Sequence, residues 1–332
     1  MKVREVWVDN VKVIACLLVV LGHFFQSMTK SNIMETNYVI EWYEQTIYYF
    51  HVPLFFICSG YLYMKLTKIS TLNDWITNIF KKLMNLGIPY FIFSTVTLLI
   101  KGMFSSAVNV KEKGILETLF IEPTAPYWYL YVLFFIFLIT PVFKSKKDVT
   151  IGIYIALIMK ILSIYLESNN IHYIYFIDKL ISNEIWFVLG MFIYKHEITK
   201  KLNKKTSMLF LLFLALSIFV FIYLDNYFVS AFLLGLIACI SIISIIYRKF
   251  INNQQSKLFK ILAKYTLPIF LMHTIFAAAI RILLLKMGIN NWFIHCSFGL
   301  VISIVGPILA AQIMNRCKWT IFILYPNKIL RI

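Results

Sequence analysis

Acidic side chains are scarce in this chain, 15 Asp and Glu against 32 Lys and Arg, and charged residues of both signs make up only 14% of its 332 residues. A soluble domain carries roughly a quarter of its residues as charges, so so thin a supply excludes that class. The five cysteines (Cys16, Cys58, Cys239, Cys296, Cys317) are scattered, mostly within apolar runs. With no close Cys pair and no H-E-x-x-H or C-x-x-C spacing, neither a disulfide framework nor a metal site is expected. A Gly-x-Ser-x-Gly elbow is also missing, which leaves Ser59 a poor nucleophile. No Gly/Ser- or Pro-rich linker interrupts the chain, so one integral-membrane domain over residues 1–332 is expected.

What the chain has in abundance is apolar sequence, at 61% of residues and a mean hydropathy of +0.79. The expected fold class is all-α, a polytopic helical bundle in a lipid bilayer. Ten segments are long enough to cross, at 8–28, 44–64, 83–103, 127–143, 149–166, 173–195, 207–224, 228–247, 264–285 and 292–314. The sixth is the least apolar, because Asp178, Lys179, Asn183 and Glu184 crowd its first half. A polar face lining a cavity is expected there.

The +17 net charge is distributed by loop. Alternate loops hold Lys65, Lys68, Lys81 and Lys82; Lys144, Lys146 and Lys147; Lys195, Lys200, Lys201, Lys204 and Lys205; Arg248, Lys249, Lys257, Lys260 and Lys264; and Arg316, Lys318, Lys328 and Arg331. The opposite loops carry little beyond Lys30, Lys111, Lys113 and Lys286. That asymmetry is an orientation signal and not a nucleic-acid footprint, and it puts both termini in the cytoplasm. Lys2 and Arg4 resemble the start of a secretory signal, but QSMTK offers no small-residue cleavage site, so an uncleaved N-terminus is expected. The cell membrane, in a bacterium the cytoplasmic membrane, is the expected location.

Within the apolar segments a few polar residues stand out. Asp9, Lys12 and His23 share the first, and a histidine inside a spanning helix must find a partner or water. Lys12 and His23 are eleven residues apart, nearly on one helical face and about 16 Å apart along the axis. Asp9 is placed to pair with Lys12 at i,i+3, and Lys12 alone would snorkel to the interface. His51, near the outer end of the second segment, should lie at a depth similar to His23 and form a proton-handling pair with it. Pro53 and Ser59-Gly60 in the same segment mark a bend or a close helix contact. In the ninth segment His273 and Arg281 are eight residues apart, within about 80° and 12 Å. Arg281 calls for a cavity or an acidic partner. His172, His196 and His295 sit near loops and show no ligand spacing, and Trp128, Tyr129 and Tyr131 read as an interfacial aromatic belt.

Taken together, these segments resemble the acyltransferase-3 family, in its fucose 4-O-acetylase-like branch. VDNVKVIACLLVVLGH resembles that family's opening D-x-x-[KR] with a histidine further along the helix, and HVPLFFICSGYL its second-helix segment. PYWYLYVLF, EIWFVLGMFIY and LPIFLMH resemble three later segments in the family's order, Tyr129 standing where the family has Phe. The resemblance implies transfer of an acyl group, usually acetyl from acetyl-CoA, to a hydroxyl of a cell-surface or exported glycan or lipid-linked sugar. It implies His23 as the catalytic histidine. The mechanism expected for this chemistry has His23 acting as general base or carrying the acyl group transiently, with His51 orienting it or shuttling the proton. Lys12 takes the place of a basic residue that is often arginine, which keeps the charge and loses the bidentate fork. Lys12, Asp9, His273 and Arg281 form the expected acyl-CoA-binding set. Succinyl transfer by the same fold, a glycan or lipid transporter, and an inactive scaffold remain as alternatives.

Overall fold

A computed structural model describes residues 5–103, 114–171, 174–224, 228–250 and 255–330. Lys2, Arg4, Lys111, Lys113, His172 and Arg331 lie outside the described residues. The described residues are helical with no strand: α1 (Val6–Lys30), α2 (Tyr38–Tyr48), α3 (His51–Leu66), α4 (Leu72–Lys82), α5 (Ile88–Met103), α6 (Ile115–Phe120), α7 (Trp128–Ile139), α8 (Lys146–Ser168), α9 (Tyr175–Lys195), α10 (Lys204–Tyr223), α11 (Phe228–Lys249), α12 (Lys257–Lys286), α13 (Trp292–Met314), α14 (Lys318–Leu324) and α15 (Pro326–Leu330). Helix is the secondary structure that satisfies its own backbone polar groups in lipid, segment by segment.

Eight helical stretches among the described residues are long and apolar enough to cross a membrane. The other two of the ten segments are α7, only 12 residues long, and α9, whose first half carries the polar residues already noted. Three of the boundaries that differ from the sequence reading have a local reason. The second segment is split between α2 and α3, with Pro53 in the first turn of α3, where a missing N–H costs no hydrogen bond. The third begins in a π-helical turn, Leu83–Gly87, ahead of α5. The fourth stops at Ile139, because Pro141 disfavours helical backbone at Thr140. On α8, Ile151, Ile155, Ile158 and Leu162 are all exposed. A repeated i,i+4 or i,i+3 stripe of bare isoleucine and leucine suits lipid and not water.

The helices form two compact units. The first comprises Met1–Ala15, Tyr38–Asp74 and Ile136–Ala263. Its centre is the pair α3 and α9, brought together by two glycines. A Cβ on Gly60 would stand 1.9 Å from the Phe187 carbonyl oxygen, and one on Gly190 would stand 2.0 Å from that of Ile57. Around this contact Tyr63, Phe137 and Phe187 pack edge to face. Glu5 pairs with Lys65, and Trp7 lies between Tyr61 and Tyr247. Ser145 and Asp148 close a reciprocal cap at the start of α8.

The second unit comprises Cys16–Asn37, Trp75–Phe135 and Lys264–Ile332. Here Phe24 and Met28 of α1 pack with Ala277 of α12, and the Phe24 ring fills the space beside Gly299 of α13. Tyr127, fully buried, donates to the Leu271 carbonyl at 2.9 Å and accepts from the Thr97 hydroxyl at 2.8 Å. One phenol therefore ties α5 to α12.

Candidate functional site

Within the second unit, α1, α5 and α12 enclose a cavity of about 220 Å³. His23, Gln26, Ser27 and Lys30 line it from α1, Thr97 and Lys101 from α5, and His273, Thr274 and Arg281 from α12. His23 and His273 stand with ring centroids 5.5 Å apart and planes tilted by 35°. His273 is 1% exposed, and its Nδ1 lies 3.0 Å from the Ile269 carbonyl oxygen and 2.9 Å from that of Phe270. Carbonyl oxygens only accept, so Nδ1 carries the proton. In the neutral ring Nε2 then holds a lone pair. That Nε2 is buried and has no partner. A buried acceptor left unpaired costs about 1–3 kcal/mol, which makes the atom a candidate for contact with a bound ligand.

Arg281, 8% exposed, reaches back to α1, donating to the Ser27 carbonyl at 3.2 Å, to the Ser27 hydroxyl, and to Ser31 Oγ at 3.2 Å. The cavity expected for it is present. The Tyr127 bond to Leu271 fixes the backbone two residues before His273. Tyr129, read as part of an outer belt, packs on Phe270 at 5.7 Å, and Phe270 in turn lies 6.4 Å from the His273 ring.

Three of the six site residues expected from sequence therefore share one cavity: His23, His273 and Arg281. Asp9, Lys12 and His51 belong to the first unit. His51 is 3% exposed, its Nδ1 donates to the Ile47 carbonyl at 2.6 Å, and its ring meets Tyr48 edge-on at 4.6 Å. The histidine beside His23 within the second unit is His273. Sequence reasoning missed Lys30, Lys101, Ser27 and Thr97 as cavity residues. The two lysines left a signal, since each ends an apolar segment on the side where cations are few.

The first unit holds a cavity of about 420 Å³, walled mostly by apolar residues of α8, α9 and the chain between α7 and α8. Glu184 lines it, as the polar first half of α9 suggested. Glu184 Oε1 accepts from the Thr140 hydroxyl at 2.7 Å. No histidine lines this space, and its ionisable lining groups are the carboxyls of Asp148 and Glu184.

Comparison with known proteins decides what this architecture belongs to. The family model described as an acyltransferase domain, acyltransferase-3, matches residues 5–312. The chain belongs to the acyltransferase-3 family. The match includes both cavity histidines. The nodulation protein NolL of Sinorhizobium fredii is 44% identical over 59 residues, 18% of this chain and 16% of that protein. The match thus spans about a sixth of that relative's length. No solved structure matches the acyltransferase described here.

Proposed function

We propose that this acyltransferase moves an acyl group, acetyl in the first instance, from an acyl-CoA to a hydroxyl of a cell-surface or exported glycan, or of its lipid-linked precursor. The observation that carries the reading is the histidine pair in the α1–α12 cavity, with Nε2 of His273 unpartnered. In the step we assign, the sugar hydroxyl attacks the thioester carbonyl carbon while His23 takes the hydroxyl proton. The carbon–sulfur bond breaks, and the CoA thiolate leaves and receives that proton. His273, with a lone pair at Nε2, stands beside His23 as the second site through which the proton passes. Histidine acting as a general base is worth about 10²–10⁴-fold in rate, the remainder coming from positioning. Tyr127 and Arg281 supply positioning, one by holding α12 to α5 and the other by holding it to α1.

Lys12 precedes His23 by eleven residues on α1, and we assign it to the polyanionic end of the donor. The loop charges support a donor arriving from the cytoplasm and an acceptor on the opposite side, in a bacterial cytoplasmic membrane. The test is mass spectrometry of surface glycan from cells with and without the gene, alongside transfer from labelled acetyl-CoA by the purified protein. The mass added per sugar separates acetyl from succinyl. Unchanged glycan in the deletion, together with no acyl-CoA binding by the purified protein, would overturn the reading and favour a transporter.

A further inference from the structure

The lining of the histidine cavity carries a concentration of positive charge that the histidines' chemistry does not use. Lys30, Lys101 and Arg281 all line it, from three different helices, and among the described residues no Asp or Glu does. Lys30 follows His23 by seven residues on α1, and Arg281 follows His273 by eight on α12. Each cation thus lies about 10–12 Å along its helix from a histidine, and Lys101 lies in the last turn of α5. The three helices are odd-numbered crossings of the ten, so all three basic groups fall toward the outer face, where this chain is otherwise poor in cations.

Ordinary causes account for part of this pattern. A lone lysine at a helix end snorkels, and the helix dipole favours a cation in the last turn. Neither brings three cations from three helices to one cavity, nor does either bury Arg281 to 8% exposure against Ser27 and Ser31. A second sign of a ligand belongs to another lining residue of the same cavity, the unpartnered Nε2 of His273.

We propose that the acceptor is acidic: it bears a carboxylate or a phosphodiester one or two sugar units from the hydroxyl that is acylated. The negative group sits among Lys30, Lys101 and Arg281 while the hydroxyl reaches the histidines. The proposal rests on the acyltransferase reading above and names its acceptor class. Charge-assisted contacts at two or three cations make an anionic acceptor about 10–100-fold tighter than a neutral one of the same length at low salt, with the preference shrinking as salt rises.

The experiment uses the full-length protein in nanodiscs of neutral phosphatidylcholine. Calorimetry compares a neutral N-acetylglucosamine tetrasaccharide with two anionic probes, a glucuronate–N-acetylglucosamine tetrasaccharide and an oligomeric glycerol phosphate. At least one anionic probe should bind about 10-fold or more tighter than the neutral one, and which one does so distinguishes carboxylate from phosphodiester. The Lys30→Gln/Lys101→Gln variant should lose the preference, and Lys30→Arg/Lys101→Arg should keep it, with thermal melting as the check on folding. Equal binding of neutral and anionic probes, no binding of either anionic probe, or an intact preference in the glutamine variant overturns the proposal. Transfer from labelled acetyl-CoA is measured separately. Transfer to neutral and anionic acceptors alike keeps the acyltransferase reading and removes this one. A charge preference without transfer to any acceptor keeps the anion site and counts against the glycan-acyltransferase reading.

Discussion

At the scale of single residues, the sequence singled out rare polar groups in apolar helices, and the cavity joins three of them. His23→Asn keeps one hydrogen-bonding edge and loses most of the basicity, so it should cut acyl transfer by about 10²–10⁴-fold with insertion and abundance unchanged. Near-normal turnover by that variant would make His23 structural. His273→Asn tests whether the neighbour at 5.5 Å shares the chemistry. It should cost more activity than His51→Asn, since His51 is held to the end of α2 at Ile47 and belongs to the other unit. The reverse order would restore His51 as the second histidine. Lys12→Ala should weaken acyl-CoA binding by about 10–150-fold while His23→Asn leaves it nearly intact. Equal binding by Lys12→Ala and the parent in calorimetry would return Lys12 to the role of a helix-end anchor. The pairing of His23 with His273 was hidden from the sequence because each sits on a different helix. Matching depth pointed to His51.

At the scale of helices, most of what was legible came from composition, and most of what was not came from which helix meets which. Ser59-Gly60 marks a close contact, but one sequence does not name the partner. The structure supplies it: Gly60 faces the backbone of Phe187 on α9, and Gly190 faces Ile57 on α3. Backbone atoms cannot swing aside as a side-chain tip does, so Gly60→Ala forces the helices apart. Overpacking of this kind costs about 1–3 kcal/mol, and thermal unfolding in detergent should fall by several degrees. Gly102→Ala is the matched control, because an added Cβ there meets nothing within 4 Å. That change should be neutral or stabilising by about 0.5–1 kcal/mol, the usual gain from removing a helical glycine. A Gly60→Ala variant as neutral or stabilised as Gly102→Ala would mean that residue 60 reports helix propensity and not a contact. The split between α2 and α3 and the early end of α7 were also written in the sequence, at Pro53 and Pro141, where a helix start and a helix stop are what proline favours.

At the scale of the whole molecule, the loop charges and the helix lengths make separable statements about the number of crossings. Eight stretches qualify by length and hydropathy. The ten-crossing reading adds α7, which at 12 residues is about 18 Å long against a hydrocarbon layer of about 30 Å, and the polar-faced α9. If neither crosses, α8 reverses direction while every other helix keeps its own, so most of the chain's topology is blind to the difference. Two positions are not. Ten crossings put Lys147 in the cytoplasm and Asn169 outside, whereas eight put Lys147 outside and Asn169 in the cytoplasm. The run Lys144, Lys146 and Lys147 favours the first arrangement, since cations of short loops are retained inside, and α7 can cross with its flanking turns at a thinned or protein-lined position. Reporter fusions after Lys82, Lys205 and Lys264 should therefore read cytoplasm and those at Lys113 and Asn290 outside in either case, which calibrates the assay. Fusions after Lys147 and Asn169 should read cytoplasm and outside respectively. The opposite pair of readings, with the other five unchanged, would take α7 and α9 out of the membrane and leave eight crossings.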